Sequence, residues 1–272
     1  MMLKDKVAVI YGAGGTVGGA VARAFATEGA NVFLTGRSLA SVEAVAGDIG
    51  SAGGSAEAAQ VDAVDERAMD DHLRSVVDGG GHVDISFNAV GIPSRDRGMG
   101  LYGAGILGVP LVELDVEHFA PPITTNITSY FLTARLAARH MILQGSGVIM
   151  TATTLHSRTG FPTVGGYGPA QAAKEALTRQ LSAELAPHGI RVVGLRPHGM
   201  PETDALKEGF EARAKTSAMT WEQFQEMVAS RTHTGRLMTL AETADMAVLM
   251  ASDRASGMTG TTVNLAMGGL DD

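Results

Sequence analysis

Val7-Ala8-Val9-Ile10-Tyr11-Gly12-Ala13-Gly14-Gly15-Thr16-Val17-Gly18-Gly19 is the stretch that decides the fold. Its first five residues form an unbroken β-prone apolar run, as expected of a strand buried on both faces. The glycines follow at once. Val17, Ala20, Val21, Ala24 and Phe25 then recur on one face of a helix. A glycine at the strand end permits a sharp turn, and backbone without Cβ lets a pyrophosphate approach. The helix start contributes N–H groups and positive dipole. Placed after the first strand, this string predicts a dinucleotide cradle built from Gly12, Thr16, Val17 and Gly18.

Working outward, apolar runs and helical patterns alternate to the end of the chain. Strands are predicted at 31–35, 57–61, 83–87, 148–151, 190–195 and 262–265, and helices at 38–47, 65–77, 124–142 and 170–186. Thr239 and Glu242 have capping-box spacing, and Ala244, Ala247, Val248 and Ala251 share the face behind them. Alternating β and α predict an α/β fold. It would be a Rossmann-type doubly wound parallel sheet of about seven strands, with helices on both faces. No linker, repeat or charge block divides residues 1–272, so a single domain is expected. Two stretches resist the pattern, 92–112 and 197–238, and such long connections usually serve as substrate loops. Met219, Trp221 and Met227 in the second could form an apolar lid or ordinary core.

Composition excludes several other classes. The 272 residues carry 21 Lys+Arg against 29 Asp+Glu, a net charge of −8 that disfavours nucleic acid or anionic membrane as partner. With no Cys there is no disulfide scaffold, thiolate metal site or Cys nucleophile, which fits a cytoplasmic protein. The uncharged run from Val7 to Ala22 is too short and glycine-broken to span a membrane, and the mixed-charge start lacks a signal-peptide core. The eight His residues lack metal-ligand spacing, so no metal is expected. No Gly-x-Ser-x-Gly elbow occurs.

The end of the second strand chooses between cofactors. A carboxylate is needed there to bind a ribose 2′-hydroxyl, but the chain reads Leu34-Thr35-Gly36-Arg37-Ser38. Gly36 leaves room and Arg37 can fork onto a 2′-phosphate, so NADP(H) is preferred and NAD(H) is the alternative.

These features and several downstream ones resemble the short-chain dehydrogenase/reductase family over essentially the whole chain. Asn88-Ala89-Val90-Gly91 is similar to that family's strand-four motif, with its second Asn replaced. Thr154 precedes Tyr167 by the family's spacing between catalytic Ser and Tyr, and Glu184 to Val192 is also family-like. The resemblance implies NAD(P)-dependent interconversion of an alcohol and a carbonyl on a small organic substrate, in a homodimer or homotetramer. It implies Tyr167 as proton donor and Thr154 as holder of the substrate oxygen. Asn126 would belong to a proton relay, Asp62 would lie near adenine, and Asn88 and Gly91 would line the cofactor. Backbone at Pro197 would face the nicotinamide carboxamide.

The chain departs from that pattern where the chemistry is most demanding. The family's Lys four residues after the Tyr is replaced by Gln171, which can bind ribose hydroxyls but brings no charge. At ~4 Å and an effective dielectric near 20, a lost cation is worth about 4 kcal/mol, leaving the phenol near pKa ~10. Lys174, nearly two turns after Tyr167, either substitutes or is a surface or subunit-contact lysine. His156 and His198 are candidate acids or packing residues. The missing Lys also motivates two alternatives: a cofactor-binding partner without turnover, and a non-redox enzyme using the two hydroxyls.

Overall fold

The computed structural model describes residues 1–91, 107–214 and 219–271. Among these, strands β1 (Val7–Tyr11), β2 (Asn31–Gly36), β3 (Ser55–Gln60), β4 (Ile85–Asn88), β5 (Gly147–Ala152), β6 (Ile190–Pro197) and β7 (Thr261–Leu265) form one sheet. Its order is β3-β2-β1-β4-β5-β6-β7 and every neighbouring pair is parallel. Strand order reverses between β1 and β4, so a crevice opens at the carboxyl edge there, where ligands of open α/β sheets bind.

Alternation along β1 sorts the core into two layers. Ala8 and Ile10 pack with α1 (Thr16–Thr27), α2 (Leu39–Ser51) and α8 (Leu240–Ala251). Val7, Val9 and Tyr11 pack with α3 (Glu66–Gly80), α4 (Val116–Gln144) and α5 (Tyr167–Leu185). Helices thus cover both faces at the centre of the sheet, as the unbroken apolar run of β1 requires. The predicted capping box at Thr239 is present in both directions.

The differences from expectation that bear on the site are these. The long helix starts at Val116, eight residues before the predicted 124, and carries Pro121 and Pro122 inside it. Those rings remove two N–H groups of the second turn, and Asp115 caps the first turn by accepting from the His118 N–H at 2.9 Å. Asp115 was the legible signal. Helix α5 begins at Tyr167 itself, because Pro169 sits in the first turn, where an N–H has no intrahelical partner. The 197–238 stretch is not a loop throughout. It holds α6 (Asp204–Ala214) and α7 (Trp221–Ala229), the latter started by a Thr220–Gln223 capping box. Trp221 packs against Phe210 and Phe224, with centroids 5.2 and 6.0 Å away, so it is core to this small helical pair. Residues 92–106 of the other predicted loop lie outside the described residues.

Candidate active site

The glycine turn is pressed between three elements. Gly12 adopts φ +77°, and a Cβ there would lie 2.8 Å from the Ala89 carbonyl oxygen. A Cβ on Gly18 would sit 2.3 Å from the Gly12 carbonyl oxygen. Neither position admits a side chain without moving backbone. Gly15 is the N-cap of α1 and offers no side chain to the first-turn N–H groups. Those donors, at Thr16, Val17 and Gly18, point out of the helix start with its positive dipole, and so fit a phosphate.

Further along the same edge, Arg37 and Ser38 are exposed after β2. The Arg37 carbonyl accepts from Gln60 Nε2 at 2.9 Å, while its guanidinium has no partner among the described residues. Asp62 is exposed just past β3 and accepts from the Val64 N–H at 3.2 Å. Asn88 is different: it is buried, its Nδ2 donating to Thr133 Oγ1 at 3.2 Å and its Oδ1 accepting from the Val90 N–H at 3.3 Å. It braces the end of β4 against α4, behind Gly91.

A cavity of about 460 Å³ opens beside the turn and gathers Val17, Gly91, Asn126, Thr154, Tyr167, Gln171 and Pro197. Tyr167 stands in it from the first turn of α5. Burial pushes its phenol above the ordinary value, and the Thr154 hydroxyl draws it back. Gln171 is buried one turn on, with its amide unpartnered among the described residues. Asn126 spends its amide on the Pro122 carbonyl, donating from Nδ2 at 2.8 Å, and its own carbonyl accepts from Ser129 Oγ at 3.1 Å.

Lys174 is not a surface lysine. It is 1 % exposed and lines the same cavity. Its Nζ donates to the Ala152 carbonyl at 2.6 Å and lies 6.0 Å from the centre of the Tyr130 ring. Loss of hydration lowers its pKa to about 7.

Two imidazoles also line the cavity. His156 Nδ1 lies 3.2 Å from Thr154 Oγ1, and its ring packs edge-on against Tyr167 at 5.5 Å. Burial, reinforced by nearby His198, lowers the His156 pKa to about 4. Burial lowers that of His198 as well. Both shifts favour the neutral imidazole, which is poorly suited to be the acid.

One functional group went unread in the sequence. Glu175 Oε1 accepts from Arg196 Nε at 2.8 Å, Thr153 Oγ1 at 3.1 Å and Ser157 Oγ at 2.5 Å. Its Oε2 accepts from Arg196 Nη2 at 2.9 Å. Both charges are 3 % exposed. This cluster ties α5 and β6 to the segment that carries Thr154. An Arg at the end of the apolar strand β6 was the available signal, because a buried charge must have a partner.

No helix among the described residues is long and apolar enough to cross a membrane. Among the same residues, no group of three or more His, Cys, Asp or Glu could hold a metal ion.

The chain is similar to known proteins over nearly its whole length. Residues 12–269 match a family model described as enoyl-(acyl carrier protein) reductase. Gluconate 5-dehydrogenase from Gluconobacter oxydans is 27 % identical over 264 residues, 97 % of this chain and 93 % of that one. The 7alpha-hydroxysteroid dehydrogenase of Escherichia coli K12 is 28 % identical, covering 100 % of this chain and 97 % of its own. The crystal structure of an NAD+-bound xylitol dehydrogenase superposes with a TM-score of 0.86 at 25 % identity, covering 97 % of this chain and 98 % of that one.

Proposed function

Because the chain belongs to the short-chain dehydrogenase/reductase family, oxidoreductases of the CH–OH/C=O pair, we propose that it interconverts an alcohol and a carbonyl of a small organic substrate with NADP(H). The observation that carries the proposal is the convergence of Tyr167, Thr154 and Gln171 in one cavity beside an uncapped helix start.

The residues divide the work as follows. First-turn N–H groups of α1 bind the pyrophosphate, and Arg37 binds the 2′-phosphate. Asp62 lies on the adenine side, and Gly91 and Pro197 present backbone to the nicotinamide half. Gln171 supplies a neutral donor and acceptor to the ribose hydroxyls. The nicotinamide ring, when bound, supplies or accepts the hydride. Thr154 holds the substrate oxygen. Tyr167 gives its phenolic proton to that oxygen in reduction and takes it back in oxidation. Asn126 keeps α4 in shape beside the Tyr, so its contribution to a relay runs through the cavity it lines. Exposed Phe131, Ile142 and Leu143 on α4 support a homodimer or homotetramer.

The test is NADPH or NADH oxidation over a panel of ketones and aldehydes. Turnover with NADPH exceeding that with NADH is expected. Arg37→Ala should lower kcat/KM for NADPH about 10- to 100-fold, the loss of a charge-assisted pair, and leave NADH within about twofold. Equal losses for both cofactors would remove Arg37 from the phosphate site. The buried Gln171 at the family's Lys position favours a second reading, a nucleotide-binding partner without turnover. Tight NADPH binding with no oxidation across the panel would select it. Product formation without cofactor oxidation would point to non-redox chemistry.

A further inference from the structure

Thr154 stands between two partners, and counting the protons among them decides what the cavity accepts. His156 Nδ1 lies 3.2 Å from Thr154 Oγ1, and Thr154 also faces the Tyr167 phenol. The backbone carrying this pair is pinned, because the Thr153 and Ser157 hydroxyls on either side both donate to Glu175, at 3.1 and 2.5 Å. The imidazole itself is packed by the ring of Phe161, 4.8 Å away between centroids, and by that of Tyr167 at 5.5 Å. Its other nitrogen is open. Nε2 has no hydrogen-bond partner among the described residues, and it is not sealed from solvent as His198 Nδ1 is. His156 lines the cavity, so Nε2 is a hydrogen-bonding group of the site with nothing yet to bind.

A neutral imidazole, the form that burial favours here, carries one N–H and one lone pair, and a hydroxyl carries one proton. A carbonyl oxygen only accepts, so Thr154 must spend its single proton on the substrate. Thr154 then accepts from His156, whose own proton sits on Nδ1, and Nε2 is left with a bare lone pair. That lone pair discriminates. A substrate hydroxyl satisfies it. A methyl group leaves it unpaired once substrate has driven out water, and an ether or carboxylate oxygen sets lone pair against lone pair. An ammonium is the poorer donor, because it would shed its hydration beside Leu107, Leu155 and Val164 and near the buried amine of Lys174.

We propose that His156 is a specificity-determining residue that accepts from a hydroxyl carried close to the reacting carbon, so that the chain acts on hydroxy ketones or hydroxy aldehydes and, in reverse, on the corresponding diols. The proposal names the substrate class of the site described above and rests on its redox reading.

Matched trios of ketones test it, the smallest being hydroxyacetone, methoxyacetone and butanone, each reduced with NADPH or NADH. Methoxyacetone keeps the electron-withdrawing oxygen without its proton, and butanone puts a methyl group in place of the hydroxyl. In the native chain, kcat/KM for the hydroxy ketone should exceed that for either relative by about tenfold or more. His156→Phe keeps a ring against Phe161 and Tyr167 but removes both nitrogens, and should bring the hydroxy-to-methoxy ratio to within about threefold of unity. Equal losses on both ketones, with the ratio kept, are what a merely structural role gives and would overturn the proposal. A native ratio below about threefold overturns it as well. Should His156→Phe fail to fold in thermal melts, His156→Met, flexible enough to fill the same space, takes its place with the same expected ratio. Reduction without preference removes only the role of His156, whereas no oxidation of either cofactor by any carbonyl compound removes the redox reading and this proposal with it.

Discussion

Tyr167→Phe should lower kcat about a thousandfold while leaving NADPH affinity within about threefold and the melting temperature nearly unchanged. The hydroxyl is the only part of the side chain removed. The ring keeps its edge-on contact with His156 at 5.5 Å, so packing has little reason to change. What disappears is the proton donor. A positioned general acid contributes about 10²- to 10⁴-fold, and Thr154 cannot replace it, since an alcohol is a far weaker acid than a phenol. Steady-state kinetics with a separate NADPH fluorescence titration checks both halves. A variant retaining a tenth of native activity would move the acid elsewhere.

The second large effect lies outside the reacting groups. Glu175→Ala should destabilise the protein by about 3–5 kcal/mol, because it leaves Arg196 buried and uncompensated. For a chain of this size that corresponds to a melting temperature lower by roughly 10 °C. Catalysis should suffer too, since Glu175 also accepts from the hydroxyls of Thr153 and Ser157 on either side of Thr154. Calorimetry and kinetics at a temperature where the variant is folded separate the two. A double variant Glu175→Leu/Arg196→Met should recover most of the stability, since apolar replacements of buried pairs are often neutral or better. A single-variant shift under about 2 °C would show that water reaches the pair and that it is not sealed.

Most of the architecture could be read in advance because period and turn chemistry agree along most of the chain. Val7 to Gly19 specifies strand, turn and helix by local rules alone, and the structure adds only how tightly Gly12 and Gly18 are held. Boundaries were misplaced at the starts of α4 and α5. Pro169 sits in the first turn of α5, where the lost N–H costs little, and Asp115 and Thr220 carried the start signals of α4 and α7. Helices α6 and α7 were missed because their apolar faces close on each other through Phe210, Trp221 and Phe224, a local core without a strand beside it.

The site was legible unevenly, for a physical reason. Spacing along one helix places Tyr167, Gln171 and Lys174, so helical geometry could pose the question of the missing charge. Whether Lys174 is buried depends on where β5 and α4 lie, which no local pattern encodes. The same holds for Glu175 and Arg196, 21 residues apart in sequence and joined only by the fold. Asn88 matched a motif, but its amide is used in bracing β4 against α4, so the match finds the end of β4 without giving that side chain a ligand.

The claim beneath all of this is that a nicotinamide dinucleotide lies across the carboxyl edge of the sheet, from the α1 helix start to Tyr167. A crystal structure of the native chain grown with millimolar NADP+ tests it most directly. The account predicts pyrophosphate density at the N–H groups of Thr16, Val17 and Gly18, with the nicotinamide ring against the Tyr167 hydroxyl. A crevice clear of nucleotide under those conditions, or nucleotide bound elsewhere, would contradict it.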